Sequence, residues 1–171
     1  MAIDPIYLKA LPLLRGLSQV ELRDIAGRLD LVQVPAGHVL IEQGSTDTGL
    51  YFILNGTIQV TRTLPTGHRI TTARLGKGHM VGYLSMLDAQ PRSATVRALT
   101  AATLALLPRD HGLALLEGSD PLGIRFQRLL AREMIRSLRL ANERFTRAAS
   151  LPPAEFLSPE NLDASMDEQG A

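Results

Sequence analysis

Apolar and polar positions divide the chain into three rhythms. Over residues 1–29, Leu17, Val20, Leu22, Ile25, Ala26 and Leu29 recur at near-helical spacing. Ser18-Gln19-Val20-Glu21 has the spacing of a capping box, with Ser18 covering the first free amides and Glu21 reaching back. From 30 to 107 the period shortens. Runs rich in Val, Ile, Leu and Thr alternate with Pro35-Ala36-Gly37, Gly44-Ser45, Asn55-Gly56, Pro65-Thr66-Gly67 and Gly76-Lys77-Gly78, the rhythm of an all-β sandwich or barrel. Asn55-Gly56, between Leu50–Leu54 and Thr57–Thr61, predicts a hairpin because both residues tolerate positive φ. Eight of the 14 glycines fall between Gly37 and Gly82, so this region is dense in tight corners, as a small jelly roll requires. From 108 to 148 the helical period returns. Asp120 reads as a cap and Pro121 as a first helical residue. With no breaker before Pro152, a helix from 121 to about 147 would be ~40 Å long.

Residues 149–171 hold five acidic residues, no basic ones, and Pro152, Pro153 and Pro159, which reads as a disordered acidic tail. The expected organisation is therefore one domain over 1–148 and a tail over 149–171. A hydrophobic fraction of 45% and a charged fraction of 20% suit a globular domain. The net charge of +1 argues against bulk electrostatic binding to nucleic acid. With no Cys there is no disulfide framework, thiolate metal site or cysteine nucleophile. The longest apolar run, Ala101–Leu107, is far too short to span a bilayer, and Met1-Ala2-Ile3-Asp4-Pro5 lacks the start of a signal peptide. A cytoplasmic protein without membrane contact is the expectation.

Viewed down its axis, the long helix separates into two sides. Arg125, Arg128, Arg132, Arg136 and Arg139 form one stripe, read first as a solvated face and alternatively as a docking strip for something acidic. Phe126, Leu130, Met134, Leu138, Ala141 and Phe145 lie opposite, widened by Ile124, Ala131 and Ile135. That apolar arc is broader than one seam needs, so we expect one flank on the barrel and the other on a second copy, giving a homodimer. No aromatic side chain interleaves the arginines and no helix-turn-helix follows, so direct DNA binding is not expected.

The most informative segment is Gly82-Tyr83-Leu84-Ser85-Met86-Leu87-Asp88-Ala89-Gln90-Pro91-Arg92-Ser93-Ala94-Thr95-Val96. It reads as a glycine turn, a short helical turn, a loop and a strand. A glycine before a helix leaves outward amides for an anion, Arg92 can grip phosphate oxygens in bidentate fashion, and Ser93 adds a hydroxyl. The plainer alternative is that Gly82 only turns a corner and Arg92 only pairs with a carboxylate such as Asp88.

The order of elements resembles the cyclic nucleotide-binding domain family, in the manner of the catabolite activator protein sensor domain, standing alone without a DNA-binding domain. The resemblance covers roughly residues 11–147. It rests on Leu13-Leu14-Arg15-Gly16-Leu17-Ser18 leading to Glu21-Leu22, Pro35–Gly44, Leu50–Val60, Leu75–Gly82 and Pro91–Ala98. It implies a mainly β fold with flanking helices: a jelly-roll (double-stranded β-helix) barrel over about 30–107, then a long C-terminal helix over about 121–147. It also implies a phosphate-binding cassette in which Arg92 and Ser93 hold a cyclic phosphate beside Gly82, Leu84, Ser85 and Ala94, with cAMP or cGMP as candidate ligand. In the family a Glu usually follows the cassette glycine and accepts the ribose 2′-hydroxyl, and here that residue is Tyr83. Losing a charge-assisted hydrogen bond weakens binding by ~1.5–3 kcal/mol. Three outcomes stay open: weaker binding, a different nucleotide, or Tyr83 filling the pocket.

His38, His68, His79 and His111 have neither metal-ligand spacing nor cysteine support, and no catalytic motif appears, so no metal, required cofactor or enzymatic activity is expected. Two functional classes remain. One is a non-enzymatic bacterial-type signalling module that relays ligand binding through its C-terminal helix. The other is a degenerate, ligand-free domain serving dimerisation or protein interaction.

Overall fold

A computed structural model describes residues 3–9, 11, 14, 16–47 and 49–150. The acidic tail beyond 150 lies outside the described residues. Two short helices, α1 (Pro5–Lys9) and α2 (Gln19–Gly27), precede eight strands: β1 (Asp30–Val34), β2 (Val39–Ile41), β3 (Leu50–Asn55), β4 (Ile58–Thr63), β5 (Arg69–Leu75), β6 (Met80–Val81), β7 (Thr95–Ala98) and β8 (Ala102–Leu107). Helix α3 (Tyr83–Asp88) interrupts the strands, and α4 (Arg109–Glu117) and α5 (Pro121–Ala149) follow them. The strands form two antiparallel four-stranded sheets, ordered β1-β8-β3-β6 and β2-β7-β4-β5. This is the expected jelly roll followed by a long helix.

The capping box on α2 is complete: Glu21 N–H donates to Ser18 Oγ at 3.2 Å, and Ser18 N–H donates to Glu21 Oε2 at 2.6 Å. Asp120 also caps, accepting the Gly123 N–H at 2.7 Å, and Pro121 begins α5. The predicted hairpin at Asn55-Gly56 does not form. Strands β3 and β4 belong to different sheets, and β4 pairs with β5 across Pro65-Thr66-Gly67 instead. Gly56 (φ 92°) turns the chain from one sheet to the other. A Cβ there would lie 2.7 Å from the Ala101 carbonyl oxygen, so the requirement for glycine is steric as well as torsional. The dipeptide signalled positive φ correctly; whether the strands beside it pair is a matter of tertiary packing.

Two apolar clusters share the β1-β8-β3-β6 sheet. Ile53 and Leu104 join Val34, Ile41, Ile58 and Val96 between the sheets. Leu50, Phe52, Ala105 and Leu107 point the other way, against Leu8, Ile25, Leu115 and Phe126 of the helices. Strand β8 is therefore covered on both faces, which explains why Ala101–Leu107 is apolar at every position but Thr103. The second sheet has its outer face toward solvent and its inner face toward the site.

Candidate functional site

A cavity of about 370 Å³ opens between the β2-β7-β4-β5 sheet, the β6–α3 corner and α5. All seven candidate site residues, Gly82, Tyr83, Leu84, Ser85, Arg92, Ser93 and Ala94, line it. They meet there because Gly82, at φ 86°, ends β6 and turns directly into α3. A Cβ at Gly82 would come within 2.6 Å of Arg92 Nη1. The glycine therefore makes room for the guanidinium as well as turning the corner, and it leaves α3 without a side-chain cap on its first amides.

Arg92 is only 3% exposed. Its Nη1 donates to the Gly82 carbonyl at 2.6 Å, and Nη2 donates to the Gly49 carbonyl. Nε and Nη2 bind the two carboxylate oxygens of Asp47 at 3.3 and 3.0 Å. Four of the five guanidinium N–H groups are thereby held by the described residues. The backbone reinforces the grip: Arg92 N–H donates to Ser45 O, and Arg92 O accepts from Gly44 N–H. Partial burial pushes the Asp47 carboxyl up. The hydrogen bonds from Arg92 and Ser45 and the Arg92 charge outweigh that effect and hold it below the usual carboxylate range. The carboxylate beside Arg92 is thus Asp47, not Asp88, which accepts the Gln90 N–H at 3.0 Å. Local spacing could not have found Asp47, because 45 residues separate the pair.

Tyr83 reaches across the cavity mouth to α5, where its hydroxyl lies 2.8 Å from Ser137 Oγ. Burial pushes the phenol pKa up, the Ser137 hydrogen bond draws it down, and the Glu133 carboxylate adds to the rise. It is neutral across the physiological range. The wall opposite the cassette comes from α5: Glu133, Ser137, Leu140 and Arg144. The two-sided reading of the helix missed this row, although its spacing of four, three and four residues is visible in the sequence. Arg144 donates to the Thr72 carbonyl of β5, tying α5 to the barrel rim.

All five arginines of the stripe are exposed, as the solvated reading expects, but two of them have further roles. Arg125 pairs with Glu21 at 3.1 Å and donates to the Gly16 carbonyl, which joins α5 to the N-terminal helices. Arg136 lines the cavity. His79, also in the cavity wall, sits with Nδ1 3.1 Å from Gly76 O, and His111 Nδ1 lies 3.0 Å from Arg28 O. Among the described residues no helix is long and apolar enough to cross a membrane.

Comparison with known proteins places this geometry. A cyclic nucleotide-binding domain from Methylobacillus flagellatus superposes with a TM-score of 0.75 and 26% identity, over 86% of this chain and 82% of that one. The cyclic AMP receptor protein of Thermus thermophilus is 31% identical over 127 residues, 74% of this chain and 59% of its own length. The cAMP-dependent protein kinase regulatory subunit of Emericella nidulans is 33% identical over 104 residues, 61% of this chain and 24% of its own length. The chain thus spans less than two thirds of these two curated relatives. The family model of the cyclic nucleotide-binding domain matches residues 31–119, from β1 to the end of α4, and the chain belongs to that family.

Proposed function

We propose that residues 1–148 form a non-enzymatic signalling unit of bacterial type. It binds a cyclic nucleotide, cAMP or cGMP, at Gly82–Ser85 and Arg92–Ala94 and relays occupancy through α5. Residues 149–171 are a separate acidic segment, and the unit works in the cytoplasm without touching membrane or DNA. The observation that carries this reading is a buried guanidinium in the wall of an open cavity, beside an uncapped glycine corner. Tyr83 narrows that cavity without filling it. Two relatives named for cAMP support the choice of ligand. The geometry supports the relay: a ligand between the cassette and α5 would touch both, so its affinity would depend on where α5 sits and binding would bias that position. The exposed apolar side of α5, at Ile124, Met134, Ile135, Leu138 and Phe145, supports pairing with a second copy.

The Asp47–Arg92 pair favours a second reading, because a guanidinium already neutralised by protein has less to offer a phosphate. In that reading the domain is a ligand-free dimerisation or protein-interaction module. Isothermal calorimetry with cAMP and cGMP, on the wild type and Arg92→Ala, separates the two. The first reading predicts saturable binding that weakens roughly 10–100-fold or vanishes in the variant. A folded wild type that gives no binding heat with either nucleotide overturns the first reading for cAMP and cGMP and favours the second.

A further inference from the structure

Helix α5 carries seven arginines and two glutamates. Arg125, Arg128, Arg132, Arg136 and Arg139 share one side, and Arg147, 11 residues after Arg136, returns to it. All six are exposed. Of these six, only Arg125 has an ion-pair partner among the described residues, Glu21. This side borders the cavity through Arg136 and Arg147 and is distinct from the exposed apolar flank of Met134, Leu138 and Phe145. Its own acidic residue, Glu143, forms no described ion pair.

The electrostatics of the helix alone does not account for this strip. A cation in the last turn suits the negative end of a helix, which covers Arg147. Arg128, Arg132 and Arg136 instead follow one another at intervals of four in the body of the helix, and Arg139 lies three residues past Arg136. Like charges at those spacings destabilise a helix. The strip therefore needs negative charge from outside α5.

The chain itself carries that charge. Residues 1–150 hold all 18 basic residues and 12 of the 17 acidic ones, a net charge of +6. Glu155, Glu160, Asp163, Asp167 and Glu168 follow, five carboxylates with no cation among them. From Arg128 to Arg147 the strip runs ~28 Å along the axis. Residues 151–171 begin just past its end, and 21 residues reach up to ~70 Å when extended, ample to return along all of it. The strip of a second copy carries the same sign and is repelled, so pairing through the apolar flank leaves this side open.

We propose that residues 151–171 fold back onto the arginine strip of α5 in the same chain and neutralise it. Each exposed ion pair contributes little. Tethering offsets that weakness, because an attached segment acts at an effective concentration on the order of millimolar. The contact is weak and salt-sensitive, and it does not depend on the cyclic nucleotide reading.

The chain has no Cys, so Ser165→Cys carries a single nitroxide spin label among these carboxylates. Paramagnetic broadening of backbone amides in the labelled full chain reads the contact. At ~0.01 M salt we expect broadening over residues 128–139, far from the point where the segment is attached. Raising salt to ~1 M shrinks the Debye length from ~30 Å to ~3 Å and abolishes it. The broadening is also lost in Glu160→Gln/Asp163→Asn/Asp167→Asn/Glu168→Gln, whose substitutions touch none of the helices and strands of the fold. Undisturbed amides over 128–139 at low salt overturn the proposal. Broadening that survives ~1 M salt or the neutralised variant also overturns it, because apolar contacts of Phe156, Leu157 and Leu162 would then hold the segment. A mixture of spin-labelled chains and unlabelled, isotope-enriched chains separates the remaining case. If the enriched chains broaden as strongly as the labelled chain does by itself, the segment bridges two copies and the assignment to its own chain falls.

Discussion

Helix α5 has two halves of opposite character. In the first, Leu122, Phe126 and Leu130 are buried against the outer face of the β1-β8-β3-β6 sheet and the other helices. Arg125 adds an ion pair to Glu21 and a hydrogen bond to Gly16. In the second, no apolar side chain among the described ones is fully buried, Leu140 is half-buried, and Leu138 and Phe145 are 62% and 73% exposed. What holds this half to the body is polar and sparse: Tyr83 to Ser137 and Arg144 to Thr72. One half is an anchor. The other rests over the cavity on few contacts, as the proposed relay requires.

The largest effect expected from this contrast is Phe126→Ala. Emptying a fully buried aromatic site costs ~3–5 kcal/mol, read as a lowered urea midpoint with an unchanged slope. Leu138→Ala, at an apolar position of the same helix, stays within about 0.5 kcal/mol in the monomer. A Leu138 effect comparable to that of Phe126 would erase the distinction between the halves.

Acid weakens the anchor next. Glu21 is held below the usual carboxylate range by the Ser18 backbone N–H first, then the Ser18 hydroxyl, with the Arg125 charge adding to them. Its folded pKa is lowered, so its contribution is fully present above the ordinary carboxylate range and is lost as pH falls through the lowered value. Asp47 has the same sign, through Arg92 and Ser45 against its partial burial. Urea midpoints from about pH 7 down to about pH 3 should fall in the wild type and fall less in Glu21→Gln. Parallel curves would remove Glu21 from the account.

The same contrast explains what the sequence made legible. Ser18, Glu21, Asp120 and Pro121 act through neighbours three residues away or closer, and those helix starts appear where the spacing puts them. The cassette was legible too, because Gly82 to Ala94 is one continuous segment that folds back on itself. Asp47 was not, because it reaches Arg92 only once the two sheets face each other. The hairpin at Asn55-Gly56 failed for a related reason: local φ preference decides that the chain turns, and burial of Ile53 and Ile58 in one cluster between the sheets decides that β3 and β4 lie in different sheets. On α5 the apolar arc was read at its full width, but periodicity alone could not show that only its first half meets the body.

The smallest expected effect bears most directly on the relay. Tyr83→Phe deletes the hydroxyl that meets Ser137 and keeps the ring that packs at the cavity mouth. A hydrogen bond near the surface contributes ~0.5–1.5 kcal/mol, so the global urea midpoint should move little. The distal half of α5 has only the half-buried Leu140 to share the load, so the loss should concentrate there. Amide hydrogen exchange over residues 133–149 should speed up roughly 2–10-fold while exchange over 121–130 keeps its wild-type rate. Uniform acceleration along the whole helix would mean that α5 opens as one unit. The division into anchor and relay would then be wrong, because the ligand would have to work against the buried contacts of Phe126 and Leu130 as well.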